Sequence, residues 1–283
     1  MLVIRDSQAI NNQKSKIINN HMDHEEVGQY WNECAEVWTR LARRGYDIYR
    51  DHLNTPAFFA MLPTVDGLRG LDLGCGEGHN TRLLAKRGAV MSAIDISEVF
   101  LSYAKEHEER EPLGIDYRLA SAVELPFPDE SFDFATAIMS LMDVPETDRV
   151  LGEAYRILKP KGFLQFSITH PCFMTPHRRN LRDENRRTYA IEVGDYFREL
   201  NGEFDEWLFT GAPVDEKQGL RKFKIPRFTR TLSLWLNLLI ATGFQLEQFA
   251  EPRPSDETVA KEPKLQDAQV VSYFLHIRVR KPE

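Results

Sequence analysis

Residues 70–78, Gly-Leu-Asp-Leu-Gly-Cys-Gly-Glu-Gly, restrict this chain more than any other stretch. A short apolar run carrying one acid (Leu71, Asp72, Leu73) feeds into glycines at alternate positions, Gly74, Gly76 and Gly78. His79 to Arg87 then reads as the start of a helix. Glycine permits a tight turn and lets a ligand approach the backbone with no Cβ in the way. Strand, glycine turn and helix N-terminus together make a nucleotide-sized cradle with backbone N–H groups aimed into it. The dinucleotide fingerprint G-x-G-x-x-G needs its third glycine at position 79, where this chain carries His79. Asp72, two residues before Gly74, repels a pyrophosphate and suits a ligand bearing an ammonium group.

Leu71 to Gly78 resembles motif I of the class I S-adenosylmethionine (SAM)-dependent methyltransferases, particularly the small-molecule branch called type 11. Three later segments follow in that family's order and extend the resemblance over about residues 68–170. Val90–Asp95 reads as a buried strand ending in an acid 17 positions after Gly78. A carboxylate there can accept both ribose hydroxyl protons, or it can cap the helix that opens at Ile96-Ser97-Glu98. Ala120–Phe127 with Pro128–Asp133 looks like the family's adenine-binding segment, and Ala154–Phe163 resembles its helix end, turn and strand. In plain physics the latter is an amphipathic helix with a basic end, stopped by Pro160 and Gly162. The resemblance implies SAM as cofactor, bound by Asp72, Gly74, Cys75, Gly76, Asp95, Ile96, Ser121, Ala122 and Met139. Relatives usually carry an acid where Ser121 stands. A serine hydroxyl still accepts a bond from the adenine amino group, worth roughly 1 kcal/mol, and Ala122 offers its backbone N–H.

Strand and helix patterns alternate from about 68 to 170, with strands near 70–74, 90–95, 115–119, 132–138 and 162–169. Such alternation predicts an α/β fold with a parallel sheet covered on both faces. The resemblance implies a Rossmann-like, doubly wound, seven-stranded sheet, mostly parallel with an antiparallel last strand. Thr231 to Thr242 reads as a helix with Leu232, Trp235, Leu236, Leu239 and Ile240 inward, closed by Gly243. Residues 244–250 and 270–280 read as the last two strands, joined by an exposed loop over 252–266. The organisation expected is a disordered tail at 1–22 (with Met22 an alternative start), an N-terminal helical cap at 23–66, a SAM-binding core at 67–171, an inserted cap at 172–230, and the rest of the core at 231–283. Within the N-terminal cap, helices are expected over 24–44 and 55–62.

The insertion is about 60 residues long, where α/β connections usually take 2–6. Residues 189–193, 206–209 and 222–225 look like its short strands. It follows the C-terminal end of a sheet strand, the edge at which open α/β sheets bind ligands. It therefore reads as a cap over the substrate, or as an arm that pairs two copies of the chain.

Candidate chemistry sits at the hinge of that cap. His170 directly follows the fifth strand and has a suitable pKa for a general base, unless it only bonds backbone at the turn before Pro171. Asp143, after the fourth strand, is a second candidate. Tyr30, Arg50, His52 and Asn54 can reach the substrate or the methionine end of the cofactor from the N-terminal cap. The run from His177 to Arg187 holds five arginines against two acids and reads as a solvated segment or an anion clamp.

A formal net charge of −7 leaves no basic field for nucleic acid or an anionic membrane. Three scattered cysteines argue against a disulfide framework, and no run of 18 apolar residues appears, so a cytoplasmic protein is expected, with no metal site. The function expected is SAM-dependent methyl transfer to an O or N, less readily a C, of a small-molecule acceptor. The alternatives are an RNA or protein methyltransferase, and a SAM-binding protein without turnover.

Overall fold

A computed structural model describes residues 22–283, so the tail expected over 1–22 lies, Met22 apart, outside the described residues. The Asp23 carboxylate accepts from the Glu26 N–H while the Glu26 carboxylate accepts from the Asp23 N–H, a capping box that starts α1 (His24–Arg43). Its inward stripe buries Val27, Cys34, Ala35, Leu41 and Ala42. A π-helical turn (Arg50–Asn54) runs directly into α2 (Thr55–Met61).

Strand and helix then alternate through β1 (Arg69–Leu73), α3 (His79–Ala85), β2 (Val90–Asp95), α4 (Glu98–Arg110) and β3 (Asp116–Leu119), after which β4 (Phe132–Ile138) follows with no helix between. After α5 (Thr147–Ile157) comes β5 (Leu158–Thr169). The inserted segment forms two antiparallel hairpins, β6 (His177–Arg182) with β7 (Thr188–Gly194), and β8 (Asn201–Trp207) with β9 (Phe223–Phe228), with the short α6 (Val214–Lys217) between β8 and β9. The chain ends with α7 (Leu232–Thr242), β10 (Gln245–Ala250), α8 (Asp256–Lys261) and β11 (Phe274–Arg280).

The seven-stranded sheet has the order β10-β11-β5-β4-β1-β2-β3. Only β11 runs against its neighbours, as the expected antiparallel strand. Both faces are covered. Leu71, Leu73, Ala135, Leu164 and Phe166 pack with Leu151 and Ala154 of α5 and Trp235 and Leu239 of α7. On the other face Met91, Ala93, Phe134 and Phe163 meet Leu84 of α3 and Leu101 and Ala104 of α4. Order reverses between β1 and β4, which places the ligand edge at the C-terminal ends of these two strands.

Three local expectations need correction. The stretch 252–266 is no open loop: it carries α8 and a 3-10 helix (Pro263–Gln269) whose Leu265 and Ala268 are buried. The β8 strand ends at Trp207, earlier than the 206–209 reading. Ile240 of α7 is exposed rather than inward, because only Trp235 and Leu239 of that helix are fully buried. The arginine-rich run includes β6, which pairs with β7 and leaves its side chains exposed or half-buried.

Candidate active site

The loop after β1 is built by close approach. The N–H groups of Gly74 and Cys75 both donate to the Ile94 carbonyl, at 2.9 Å each, and tie the turn to the end of β2. Gly74 has φ +71, and a Cβ there would stand 2.5 Å from the Ser140 Cβ. Gly76, at φ +56, has open space where a Cβ would lie, so a ligand can lie against its backbone. Asp95 closes the loop: Oδ2 accepts from the Gly76 N–H at 2.7 Å, and Oδ1 from the Ser97 N–H at 2.8 Å. Burial raises the Asp95 carboxyl to about pH 6, against the pull of those backbone donors.

Asp72 lies under the loop with both oxygens occupied, by Thr81 Oγ1 at 2.6 Å and Thr136 Oγ1 at 2.8 Å. Burial pushes its pKa up while the two hydroxyls pull it down. The bonds to Thr81 and Thr136 join the start of α3 to β4. Ser121 accepts from the Val123 N–H at 3.3 Å, and its carbonyl accepts from Glu124 N–H, so it caps a tight turn at the cavity wall. Met139 leaves β4 in a left-handed conformation, φ +60, a strained placement for a side chain with a Cβ.

One cavity of about 830 Å³ joins these groups. Asp72, Gly74, Cys75, Gly76, Asp95, Ile96, Ser121, Ala122 and Met139 all line it, as do Arg50, Asn54 and Asp143. Its outer wall is aromatic. Trp38 contacts Trp207, Phe209 and Phe223 at ring separations of 4.8–5.2 Å, which locks α1 to β8 and β9. Drug-sized ligands occupy pockets of about 300–1,000 Å³, so this cavity has room for a nucleoside-sized ligand and a small molecule beside it.

The adenosyl sulfonium fits what is present. The loop offers an open glycine backbone, Asp95 offers carboxylate acceptors, and Ile96, Ala122 and Met139 offer apolar flanks. No arginine or lysine is free at the loop among the described residues. Arg82 is spent on Glu77, donating to its carbonyl at 2.6 Å and to its carboxylate at 3.1 Å. Burial, helped by Arg50, lowers the His79 imidazole to about pH 4, so it is neutral.

Three of the expected residues stand elsewhere. His170 does not line the cavity: it is 2% exposed, with Nε2 2.7 Å from Glu251 and Nδ1 accepting from the Cys172 N–H at 3.2 Å. Both nitrogens are engaged within the protein, one of them with backbone at the turn before Pro171, so the ring does not face the cavity as a base there would. Tyr30 packs on Phe204 with ring centroids 4.7 Å apart, outside the cavity, and His52 is exposed. Asn54 is at the wall but buried, its Oδ1 accepting from His276 at 2.7 Å and its Nδ2 donating to Ser167 at 3.3 Å. Arg50 is held by Asp51 and the Ala42 carbonyl.

Asp143 is a further titratable group that lines the cavity. Burial raises it to about pH 7, with Arg230 and Arg227 opposing the shift. Sequence reasoning missed Asp47, a cavity residue that burial raises to about pH 6, and named Arg178 only within the run read as a solvated segment or anion clamp, since its inward placement depends on strand pairing. Neither lies in a motif. Among the described residues no group of three or more metal-ligating side chains occurs.

Residues 71–166 match the family described as a methyltransferase domain. The demethylmenaquinone methyltransferase of Tropheryma whipplei (strain Twist) is 34% identical over 170 residues, covering 57% of this chain and 70% of that protein. A ubiquinone biosynthesis O-methyltransferase of Coxiella burnetii (strain Dugway 5J108-111) is 31% identical over 156 residues, or 54% of this chain. The chain spans 65% of the length of that Coxiella relative. A solved S-adenosylmethionine-dependent methyltransferase from Mesorhizobium loti is similar over 80% of this chain and 96% of its own, with a TM-score of 0.65 and 30% identity.

Proposed function

This chain belongs to the S-adenosylmethionine-dependent methyltransferases, and we propose that it moves a methyl group to an oxygen or nitrogen of a small-molecule acceptor. The reading is carried by one arrangement: the glycine loop, Asp95, Asp143 and the Trp38–Trp207–Phe209 wall all border one cavity. The bound cofactor supplies a methyl group already activated on sulfur. The chain's own part is therefore placement, exclusion of water and, for a protonated acceptor, removal of a proton.

In this reading Asp95 accepts the ribose hydroxyls, Ser121 and Ala122 meet the adenine edge, and Ile96 and Met139 flank it. Segments 23–66 and 172–230 act together as a cap, with α1 sealed to β8 and β9 by the tryptophans. Asp143 replaces His170 as the proton acceptor, since it lines the cavity and its carboxyl titrates near neutral pH. The acceptor is a compact aromatic or apolar molecule, in keeping with the aromatic wall and with the quinone precursors in the relatives' names. Three free cysteines suit a reducing, cytoplasmic setting, and among the described residues no helix is long and apolar enough to cross a membrane. Tyr189, Phe197 and Val214 stand exposed on the insertion, apolar surface that a second copy would cover. Sedimentation at micromolar concentration tests that pairing.

Calorimetric titration with SAM and its demethylated product, S-adenosylhomocysteine, tests the premise, and absence of binding at millimolar concentration would sink it. Radiolabelled transfer to separated metabolite, RNA and protein fractions tests the acceptor. Label is expected in the metabolite fraction; label only in RNA or protein overturns the small-molecule reading.

A further inference from the structure

Four arginines line the cavity, and three are committed to the protein. Arg50 donates to Asp51 and the Ala42 carbonyl. Arg230 donates to the Met142, Val144 and Pro145 carbonyls. Arg227 donates to the Met174 carbonyl at 3.4 Å and pairs with Asp205 at 3.6 Å. Arg178 differs. Its Nη1 donates to Asn180 Oδ1 at 2.9 Å, but Nε and Nη2 are buried without a hydrogen-bond partner among the described residues.

That empty edge is held in place. Asn180 stands two residues along β6, on the same face, and its amide donates to Asp267. Asp267 also accepts from Thr188 Oγ1 at 2.5 Å and Arg182 at 3.3 Å, and among the described residues no ion pair joins it to Arg178. The guanidinium lies 4.5 Å over the Tyr273 ring, and Tyr273 stacks on Tyr49 at 5.3 Å and 5°. The plane of the guanidinium is therefore fixed by stacking on one side and its Nη1 corner by Asn180. A buried donor pair left unmade is costly, and the Nε/Nη2 fork matches the two oxygens of a carboxylate.

We propose that Arg178 is the acceptor-recognition residue, its Nε/Nη2 edge taking the carboxylate of a small aromatic acid that lies against the Tyr273 side of the cavity. This deepens the methyltransferase reading and rests on it: the acceptor is an organic anion, and the transferred methyl goes to another atom of the same molecule or to that carboxylate.

The test uses the whole chain saturated with S-adenosylhomocysteine, titrated calorimetrically with benzoate and, separately, with its neutral isostere benzamide. Benzoate is expected to bind about tenfold or more tighter than benzamide, and Arg178→Met to abolish that preference while leaving S-adenosylhomocysteine affinity within about twofold. Arg178→Lys, which keeps the charge and loses the fork, is expected to retain only part of it and guards against a folding defect in the first variant. Equal binding of the two probes by the wild type, or an undiminished preference in Arg178→Met, overturns the proposal. Loss of cofactor-product affinity in Arg178→Met also overturns it, since the fork would then serve the cofactor's own carboxylate. If S-adenosylhomocysteine itself fails to bind the wild type, the methyltransferase reading fails, and the two probes without it still decide whether Arg178 reads an anion.

Discussion

Asp95 Oδ2 accepts the Gly76 N–H at 2.7 Å, so one carboxylate at the end of β2 both holds the glycine loop and faces the cavity. The proposed ribose contact and the shape of the loop are thereby coupled. Asp95→Ala is expected to weaken S-adenosylhomocysteine binding roughly 10- to 100-fold, from about 1.5–3 kcal/mol for hydrogen bonds to a charged group. Because the free carboxyl titrates near pH 6, affinity in the native protein should fall as pH drops through 6 and level off above it. Asp95→Ala should lose that dependence. Calorimetry between pH 5 and pH 8 reads both effects.

Gly74 and Ser140 are packed back to back, and Ser140 Oγ donates to the Leu73 carbonyl at 2.6 Å. Gly74→Ala must place a Cβ 2.5 Å from the Ser140 Cβ in a left-handed backbone. A loss of about 1–3 kcal/mol of stability is expected, with weaker cofactor binding as the loop shifts. Ser140→Gly in the same chain should restore part of the stability but not all, since the φ penalty remains. Thermal melts of both variants beside the native protein measure this.

His170 is expected to matter for folding and not for turnover. Its buried ring joins Glu251, just after β10, to the turn that begins the insertion. His170→Ala should lower stability by about 1–3 kcal/mol and leave kcat within about twofold under conditions where the protein stays folded. A kcat loss of a hundredfold or more, at unchanged cofactor affinity, would restore the histidine to the mechanism.

The contrast between His170 and Arg178 marks where the sequence was legible. The glycine loop, the acid ending β2 and the helix between Thr231 and Gly243 carry local signals: positive φ, a cap, an apolar period. Position 170 also carried one, a histidine at a strand end, yet whether such a ring faces the cavity depends on its neighbours. Here it pairs with Glu251, 81 positions away, and lies off the cavity. In β6, His-Arg-Arg-Asn-Leu-Arg holds a single apolar residue, so no hydrophobic period says which arginines face in. Pairing with β7 makes that choice, placing Arg178 and Asn180 on the cavity side and Arg179 against Glu192. Residues 252–266 misled for a related reason, because Leu265 is a lone apolar anchor in a polar stretch.

Asp143 is the group whose removal should separate binding from chemistry. Asp143→Asn keeps the shape of the side chain and cannot take a proton, so kcat with an acceptor that must lose one is expected to fall about 10²- to 10⁴-fold. S-adenosylhomocysteine affinity should change little. In the native protein kcat/KM should rise as pH increases through about 7, where the carboxyl ionises, and the residual activity of the variant should lack that limb. Stability supplies an independent check with its own sign. The folded pKa lies above that of an unfolded aspartate, so the folded state gains from protonation, and this gain is present below about pH 4 and lost as pH rises through 7. Asp143→Asn removes the burden of an ionised, partly buried carboxylate. It should therefore melt higher than the native protein at pH 8, by on the order of 1 kcal/mol once partial exposure and the nearby arginines are allowed for, with the difference shrinking toward pH 5. A variant that melts lower at pH 8 and keeps its turnover would place the proton acceptor elsewhere in the cavity.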